Sequence, residues 1–363
     1  MRGWFPFSRP WAQILEQEVS DVYAVQDRQV LDGMVRFRGQ LLVPPDTALT
    51  LLTPRLQPLG FVPMLQANGE MALIRFPRPR STPGGWRGWP LNLLLFLATL
   101  GTTLFVGAVM EGASPLQSPA SLLAGMPFSV SLLLILGCHE LGHYLTARSY
   151  GVQVSLPYFV PLPLPPMGTM GAIIRMRSPI PNRKVLFDVG ISGPLLGLVV
   201  AIPILVLGLW LSPVKSISGI GWQEGNSLAY LFLKWLLKGP IPPGADVMLH
   251  PFAFAGWLGF FVTALNLLPL SQLDGGHIAY AMVGPLFRKL VWGAVGGLVV
   301  LFLVSRWEGW LVWVVLTVAL GLRHPPPLDD LTPLDPTRRR LAILAFILLV
   351  ALLPPLPFAV LQN

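Results

Sequence analysis

Long apolar runs, separated by short polar stretches, dominate the chain from residue 91 onward. A helix needs about 20 mostly apolar residues to cross a lipid bilayer, so each run is a candidate transmembrane helix. The candidates are residues 91–111, 120–147, 185–211, 251–269, 289–305, 308–322 and 340–358. Because the fifth and sixth are short enough to form a helical hairpin, the pattern predicts a polytopic α-helical membrane protein with about six or seven transmembrane helices.

One apolar segment, residues 156–176, differs from these runs. Its first half, Leu-Pro-Tyr-Phe-Val-Pro-Leu-Pro-Leu-Pro-Pro, contains five prolines and therefore cannot form a helix. We expect a re-entrant segment with a membrane-embedded β-hairpin, which is tolerated only where protein or water covers its backbone. A plug that merely fills the helix bundle is the alternative. The polar loop at 212–250 is predicted to contain one short helix, at 227–238.

The first 88 residues have a different pattern, typical of a small α+β soluble domain. Residues 35–43 alternate as in a β-strand, and residues 46–58 are predicted to form a helix capped by Asp46. Residues 61–66 and 71–76 form two further candidate strands, joined at Ala-Asn-Gly as in a β-hairpin. Residues 77–90, rich in Pro, Arg and Gly, are the expected linker.

These patterns divide the chain into three parts. Residues 1–88 are predicted to be a soluble cytoplasmic domain with its linker, and residues 89–322 the membrane core. Residues 323–363 are predicted to be a cytoplasmic loop and a C-terminal transmembrane helix.

Composition supports a membrane protein and excludes several soluble classes. Of the 363 residues, 53% are hydrophobic and only 12% are charged, where soluble proteins have about a quarter charged. This excludes a disordered chain, a nucleic-acid-binding domain and an ordinary cytosolic enzyme. The net charge of +8 does not indicate nucleic-acid binding, because the basic residues are sparse and flank apolar runs.

The placement of the basic residues predicts the orientation. If the predicted spans alternate and residues 156–176 return to the side that they left, most Lys and Arg lie on one side. The exceptions are Lys215, Lys234, Lys238 and Arg306. Because basic residues accumulate on the cytoplasmic side, we expect the N-terminus to be cytoplasmic.

Ionisable residues inside an apolar span are costly and are therefore candidates for function. The second candidate span contains His139-Glu140-Leu141-Gly142-His143. His139 and His143 are four residues apart, so a helix places both imidazoles on one face. This is the H-E-x-x-H pattern, in which two histidines bind zinc and the glutamate acts as general base. A polar helix face or a pair of core histidines is a poorer explanation for three ionisable groups within five residues.

A catalytic zinc site has three protein ligands, so a third must lie elsewhere. Asp274, near the cytoplasmic end of the 251–269 span, lies at a compatible depth. Asp188 is a weaker candidate, because Arg183 and Lys184 nearby are its simplest partners. His277 is a candidate ligand or partner of a ligand, although a solvated helix face is the simpler interpretation.

These motifs resemble those of the site-2 protease family of intramembrane zinc metalloproteases. The resemblance covers about residues 90–290 and rests on H-E-L-G-H at 139–143, Met-Gly-Thr-Met-Gly-Ala at 167–172, Ser-Gly-Pro at 192–194 and N-x-x-P…L-D-G at 266–275. Gly193 and Gly197 also form G-x-x-x-G, a helix-packing signal. The chain is most similar in pattern to the cyanobacterial and plant chloroplast subgroup. It has Gly-Gln-Leu-Leu at 39–42 where that subgroup has Gly-Asn-Leu-Arg.

The resemblance implies roles for matching residues. His139, His143 and Asp274 would bind Zn²⁺, and Glu140 would activate the attacking water. Asn266 would help to polarise the substrate carbonyl. The segment at 156–176 resembles the family's β-hairpin, whose free edge can pair with an extended substrate strand.

The function that we expect is that of a zinc metalloendopeptidase, which cleaves transmembrane segments of membrane proteins near the cytoplasmic leaflet. The expected location is a bacterial inner membrane or a thylakoid, as a multi-pass protein, and early acidic residues argue against a transit peptide. The alternatives are a metal-ion transporter, which usually has internal repeats, and a catalytically silent scaffold of the same fold. Oligomeric state is open.

Overall fold

The structure, a computed structural model, describes residues 9–31, 34–75, 89–216, 221–270, 272–320 and 322–361. Its first part, which we call the N-terminal unit (residues 9–75), has six elements. They are α1 (Arg9–Val19), β1 (Tyr23–Leu31), β2 (Met34–Leu41), α2 (Pro45–Leu56), β3 (Phe61–Leu65) and β4 (Met71–Arg75). The strands form one antiparallel sheet in the order β1-β2-β4-β3. Most of the predicted linker, 77–90, lies outside the described residues.

Alternation along β2 and β3 builds the core of this unit. Val35 and Phe37 point inward and are fully buried, as are Leu52 and Leu56 of α2. The structure has elements at the predicted strand, helix and hairpin, and adds α1 and β1, which the sequence analysis missed. The predicted helix cap is wrong. Extended Pro44 precedes the helix, so Asp46 lies inside the first turn, where its charge complements the helix dipole.

The second part begins with long apolar helices. They are α3 (Trp89–Met110), α4 (Met126–Ser149, after a 3₁₀ turn at Pro119–Gly125) and α5 (Arg183–Leu211). Within the described residues, four helical stretches are long and apolar enough to cross a membrane: 89–110, 119–149, 183–211 and 274–305. The first three coincide with the first three predicted spans, whereas a total of six or seven spans stays a prediction.

Shorter elements follow α5. The helices are α6 (Leu228–Lys238), α7 (Pro251–Asn266), α8 (Asp274–Val283), α9 (Phe287–Ser305), α10 (Gly309–Leu320) and α11 (Pro336–Leu352). A helix was expected at 227–238, and α6 lies there. The expected span at 251–269 ends as a helix at Asn266, and a new helix begins at Asp274.

Between α4 and α5 lies the proline-rich segment, and the structure confirms that it is not helical. Strands β5 (Tyr158–Pro161) and β6 (Thr169–Ile173) pair as an antiparallel hairpin. The buried Asn92 of α3 donates to the carbonyls of Leu156 and Pro157, at 3.1 and 2.8 Å, and so holds the start of β5. The depth of this hairpin in a membrane stays a prediction.

Helices α4, α5, α7 and α8 form the centre of the membrane core. Small residues let α4 and α5 approach closely, because a Cβ at Gly142 would collide with the carbonyl of Ser192. Large buried side chains fill the rest, among them Phe128, Phe187 and Trp257. The contact between α4 and α5 brings the H-E-L-G-H motif against the Ser-Gly-Pro motif.

The loop between α5 and α7 contains a buried charged cluster. Lys234 of α6, only 5% exposed, donates to Asp246 at 2.8 Å and lies 3.8 Å from Glu224. The hydroxyl of Tyr230 also donates to Glu224, at 2.8 Å. The cluster joins α6 to strands β8 (Gly221–Glu224) and β9 (Ala245–Val247), which pair with β10 (Phe358–Leu361) and β7 (Val214–Ser216) respectively.

We expect Lys234→Met to destabilise this loop by about 3 kcal/mol, because two partly buried carboxylates lose the counter-charge of a buried lysine. The measurement is thermal unfolding of the detergent-purified protein, with limited proteolysis of residues 212–250. Lys238→Met is the matched control, since Lys238 lies one turn further along α6 in a more exposed position. Equal melting temperatures for the two variants would contradict the prediction.

Candidate metal centre

The second half of α4 presents His139, Glu140 and His143 to the protein interior. The two histidines lie one helical turn apart, with ring centroids separated by 4.9 Å. The three residues are only 4%, 6% and 5% exposed. Because buried polar groups require partners, a helix that buries three of them within five residues must face other polar groups.

Asp274 supplies one such partner. As the first residue of α8, it projects its carboxylate between the two imidazoles. Its Oδ2 lies 3.1 Å from His139 Nε2, and its Oδ1 lies 3.2 Å from His143 Nε2. The two Nε2 atoms are 3.2 Å apart. Among the described residues, these three form the one group of at least three His, Cys, Asp or Glu residues arranged to hold a metal ion.

The donor set fits a tetrahedral metal ion. Ligand bonds of about 2.0–2.1 Å place the ligand atoms of a tetrahedral zinc site about 3.3 Å apart, close to the distances observed. His143 Nδ1 donates to the carbonyl of Val189 at 2.7 Å, so the lone pair of its neutral imidazole is on Nε2, inside the cluster. If His139 Nε2 carries its lone pair as well, the two nitrogens at 3.2 Å repel each other unless a cation or proton lies between them.

Two further predicted residues adjoin this cluster. The carboxylate of Glu140 lies near the backbone of Ile174, the residue after β6. Asn266, at the end of α7, places its side-chain Nδ2 3.2 Å from His139 Nε2. The structure thus brings all five predicted site residues together, close to the end of β6.

Helix α5 forms the wall behind the two histidines. A Cβ at Gly193 would overlap the imidazole of His143, and a Cβ at Gly197 would lie 3.2 Å from both Cβ and Nδ1 of His139. The G-x-x-x-G pattern is therefore a packing signal, as predicted, and the surface that it packs against is the pair of candidate ligands.

The expected partners of Asp188 are wrong. Arg338 of α11 donates to both of its carboxylate oxygens, at 2.8 and 2.7 Å, and Tyr150 donates at 2.6 Å. Arg183 instead pairs with Asp330 at 2.8 Å. Positions 183 and 188 lie about 140° apart around a helix, so they face different neighbours. Asp188 lies outside the cluster.

The favoured interpretation of His277 as a solvated residue is also wrong. Its Nδ1 lies 2.6 Å from Nε2 of His324, because the segment after α10 folds back over α8. The sequence analysis also missed the carbonyl of Val189. A backbone acceptor has no side-chain signature, so no residue pattern could have identified it.

Comparisons with known proteins agree with this geometry. The sequence profile of peptidase family M50 matches residues 127–304, which contain all five residues of the site. The chain is similar to the probable zinc metalloprotease EGY2 of Arabidopsis thaliana chloroplasts, with 28% identity over 94% of this chain and 64% of that protein. The Oryza sativa subsp. indica EGY2 is 32% identical over 93% of this chain and 65% of its own length. Arabidopsis EGY1 is 30% identical over 76% and 55%. The chain thus spans less than two thirds of the length of these relatives.

Proposed function

Because the chain belongs to peptidase family M50, we propose that it is an intramembrane zinc endopeptidase that cleaves transmembrane segments of other membrane proteins. The observation that carries this proposal is the convergence of His139, His143 and Asp274 to within bonding distance of one ion, with Glu140 beside them. A structural zinc site closes its coordination with a fourth protein ligand, whereas three ligands leave a position for chemistry.

Each ligand has a distinct task. His143 is oriented by the Val189 carbonyl, so its ring enters the site in a fixed tautomer. His139 is held between Asn266 and Asp274, and Asp274 supplies the negative charge that offsets a divalent cation. When bound, zinc would supply a Lewis acid that polarises a carbonyl oxygen and acidifies water.

Glu140 is the candidate proton carrier. Its carboxylate accepts the proton of the attacking water and returns it to the amine that leaves when the peptide bond breaks. Asn266, whose side-chain Nδ2 lies 3.2 Å from His139 Nε2, would donate a hydrogen bond to the carbonyl oxygen of the substrate.

The hairpin offers a way to capture a substrate. A transmembrane helix hides its peptide carbonyls in hydrogen bonds, so a segment must unwind before it is cut. An unwound segment can add as a strand to the β5–β6 sheet, whose β6 strand exposes Met170 and Ile173. Ile174 follows β6, and its backbone lies near the carboxylate of Glu140. A substrate strand paired with β6 would therefore pass close to the site.

The orientation that we propose follows from the charge pattern. The excess of basic residues on one side supports a cytoplasmic position for the N-terminal unit and for the H-E-L-G-H end of α4. Cleavage would therefore occur near the cytoplasmic leaflet. We propose a multi-pass protein of a bacterial inner membrane or a thylakoid membrane, with a soluble cytoplasmic domain within residues 1–88.

Metal removal tests the proposal. We expect the purified protein in proteoliposomes to contain one zinc per chain and to cleave a fluorogenic single-span peptide. A chelator such as 1,10-phenanthroline is expected to lower the rate at least about tenfold, with Zn²⁺ restoring it. The non-chelating 1,7-isomer is the control.

Stoichiometric zinc without cleavage of any single-span peptide would contradict the protease proposal. Zinc flux across the same liposomes would favour a transporter instead. Mass spectrometry of the products locates the bond that is cut and so tests the proposed depth.

A further inference from the structure

A short segment between α10 and α11 runs between the start of α5, helix α8 and the N-terminal unit. We call residues 324–331 the strap. The backbone N–H groups of Leu328 and Asp329 donate to the carbonyls of Ile180 and Pro181, just before α5, at 2.9 and 2.8 Å. On its other side, the strap exchanges two hydrogen bonds with Leu65 of the N-terminal unit, at 2.7 and 3.0 Å. The strap is therefore a segment of extended backbone that contacts both this unit and the membrane core.

Side chains of the strap hold α8, the helix that begins with Asp274. His324 Nε2 lies 2.6 Å from Nδ1 of His277, and Asp330 Oδ2 accepts a hydrogen bond from the hydroxyl of Tyr280 at 2.9 Å. Since 277 and 280 lie three and six residues beyond Asp274, the strap contacts the first two turns of α8. These are the turns that set the position of the carboxylate.

Helix α5 supports α8 from another side. A Cβ at Gly190 would lie 2.9 Å from His277 Cβ and 3.3 Å from the carbonyl oxygen of Asp274. Arg183, in the first turn of α5, donates to Asp330 at 2.8 Å, and both side chains are buried. Helix α8 is thus held between α5 and the strap, and a buried ion pair joins these two supports.

His277 and His324 are joined by a hydrogen bond between two neutral rings, and its donor and acceptor can be assigned. His324 Nδ1 donates to the carbonyl of Pro325 at 2.7 Å, so its Nε2 accepts from His277 Nδ1–H. Burial lowers the pKa of His324 to about 3, which keeps its ring neutral near pH 7. The same ring stacks on Tyr280, with centroids 4.6 Å apart and planes at 21°.

We propose that the strap is a positioning element for the metal ligand Asp274, with His324 and Asp330 as positioning residues that act through His277 and Tyr280. Metal ligands must be placed to within about 0.2 Å, so the orientation of α8 decides whether Asp274 reaches the ion. Because the strap also pairs with Leu65, it joins the N-terminal unit to the metal centre by a continuous set of contacts. The inference rests on the metal site of the proposed function.

The test compares two buried tyrosines. Tyr280→Phe removes the hydrogen bond to Asp330, and Tyr230→Phe removes an equivalent bond to Glu224, in the cluster around Lys234. Zinc affinity is measured on the metal-depleted full chain by competition with a chromophoric chelator. We expect Tyr280→Phe to weaken zinc binding about tenfold and Tyr230→Phe to leave it unchanged. Melting temperatures show how far each variant is destabilised.

His324 gives a second, independent comparison. His324→Leu removes the acceptor for His277 and is expected to weaken zinc binding about tenfold, whereas His324→Gln retains an acceptor oxygen and restores most of the affinity. The visible spectrum of the Co²⁺-loaded protein is the further readout. We expect His324→Leu to change its intensity, because the geometry at Asp274 relaxes.

The proposal would be overturned if Tyr280→Phe and His324→Leu both had the zinc affinity and the Co²⁺ spectrum of the wild-type protein. Equal losses of zinc affinity in Tyr280→Phe and Tyr230→Phe would also overturn it, because the effect would then be general destabilisation. Failure of the wild-type protein to bind zinc would instead remove the metal site itself. The two failures are therefore distinguishable.

Discussion

Replacing Glu140 by glutamine is expected to reduce peptide cleavage about a thousandfold while zinc content stays at the wild-type level. Glutamine has nearly the same shape as glutamate, so its side chain can occupy the same buried position. It cannot accept the proton of an attacking water. The zinc ligands are other residues, so the loss isolates proton transfer from metal binding.

The measurement is single-turnover cleavage of a single-span peptide, followed by mass spectrometry, together with zinc content per chain. Glu308→Gln, an exposed position between α9 and α10, is the control and should keep full activity. Retention of more than about a tenth of wild-type activity in Glu140→Gln would show that another group carries the proton. Loss of zinc from this variant would show that Glu140 is a ligand.

The site was predictable where its residues contrast with their surroundings. His139, Glu140 and His143 stand out because ionisable groups are rare in an apolar helix. The identification of Asp274 as a ligand needed two further observations, its compatible depth in the membrane and the resemblance of its surroundings to a known motif. The break between α7 and α8 was not predicted, since residues 251–269 are apolar throughout most of their length and the helix ends inside them.

The N-terminal unit was predicted in part. Strand β1 was missed because a β-bulge between Val25 and Asp27 interrupts its alternation, so the period-2 pattern does not extend along its length. Helix α1 was detectable, because Ala12, Leu15 and Val19 recur at helical spacing and are buried. Here the pattern was present in the sequence and was not used.

Residue patterns along the sequence do not predict contacts between residues that are far apart in the chain. Arg338, which donates to Asp188, is 150 residues away from it, and His324, the partner of His277, is 47 residues away. The strap has no periodicity, since its residues pair through backbone groups and single side chains rather than through one buried face. Such contacts depend on tertiary packing, which local propensity does not encode.

Replacing Gly193 by alanine is expected to weaken zinc binding and to reduce cleavage at least about a hundredfold, because a ligand displaced by about 1 Å loses its productive geometry. The added methyl group would overlap the ring of His143. A side chain moves more readily than the backbone of two packed helices, so the imidazole is displaced and the fold is kept. The collision therefore acts on the metal site rather than on global stability.

Alanine substitutions at Gly197 of α5 and Gly137 of α4 provide the comparisons for Gly193→Ala. A Cβ at Gly197 meets His139 at 3.2 Å, which requires only a small shift, and we expect about a tenfold loss of zinc affinity. Gly137, on α4 two residues before His139, has open space where a Cβ would lie, so Gly137→Ala should bind zinc normally.

The measurements are zinc affinity by chelator competition, cleavage rate and melting temperature. If Gly193→Ala binds zinc as tightly as Gly137→Ala, the proposed contact between α5 and His143 is wrong. If it instead fails to fold, the backbone has less freedom than we infer, and Gly197→Ala provides the test of whether contact with α5 controls the metal site.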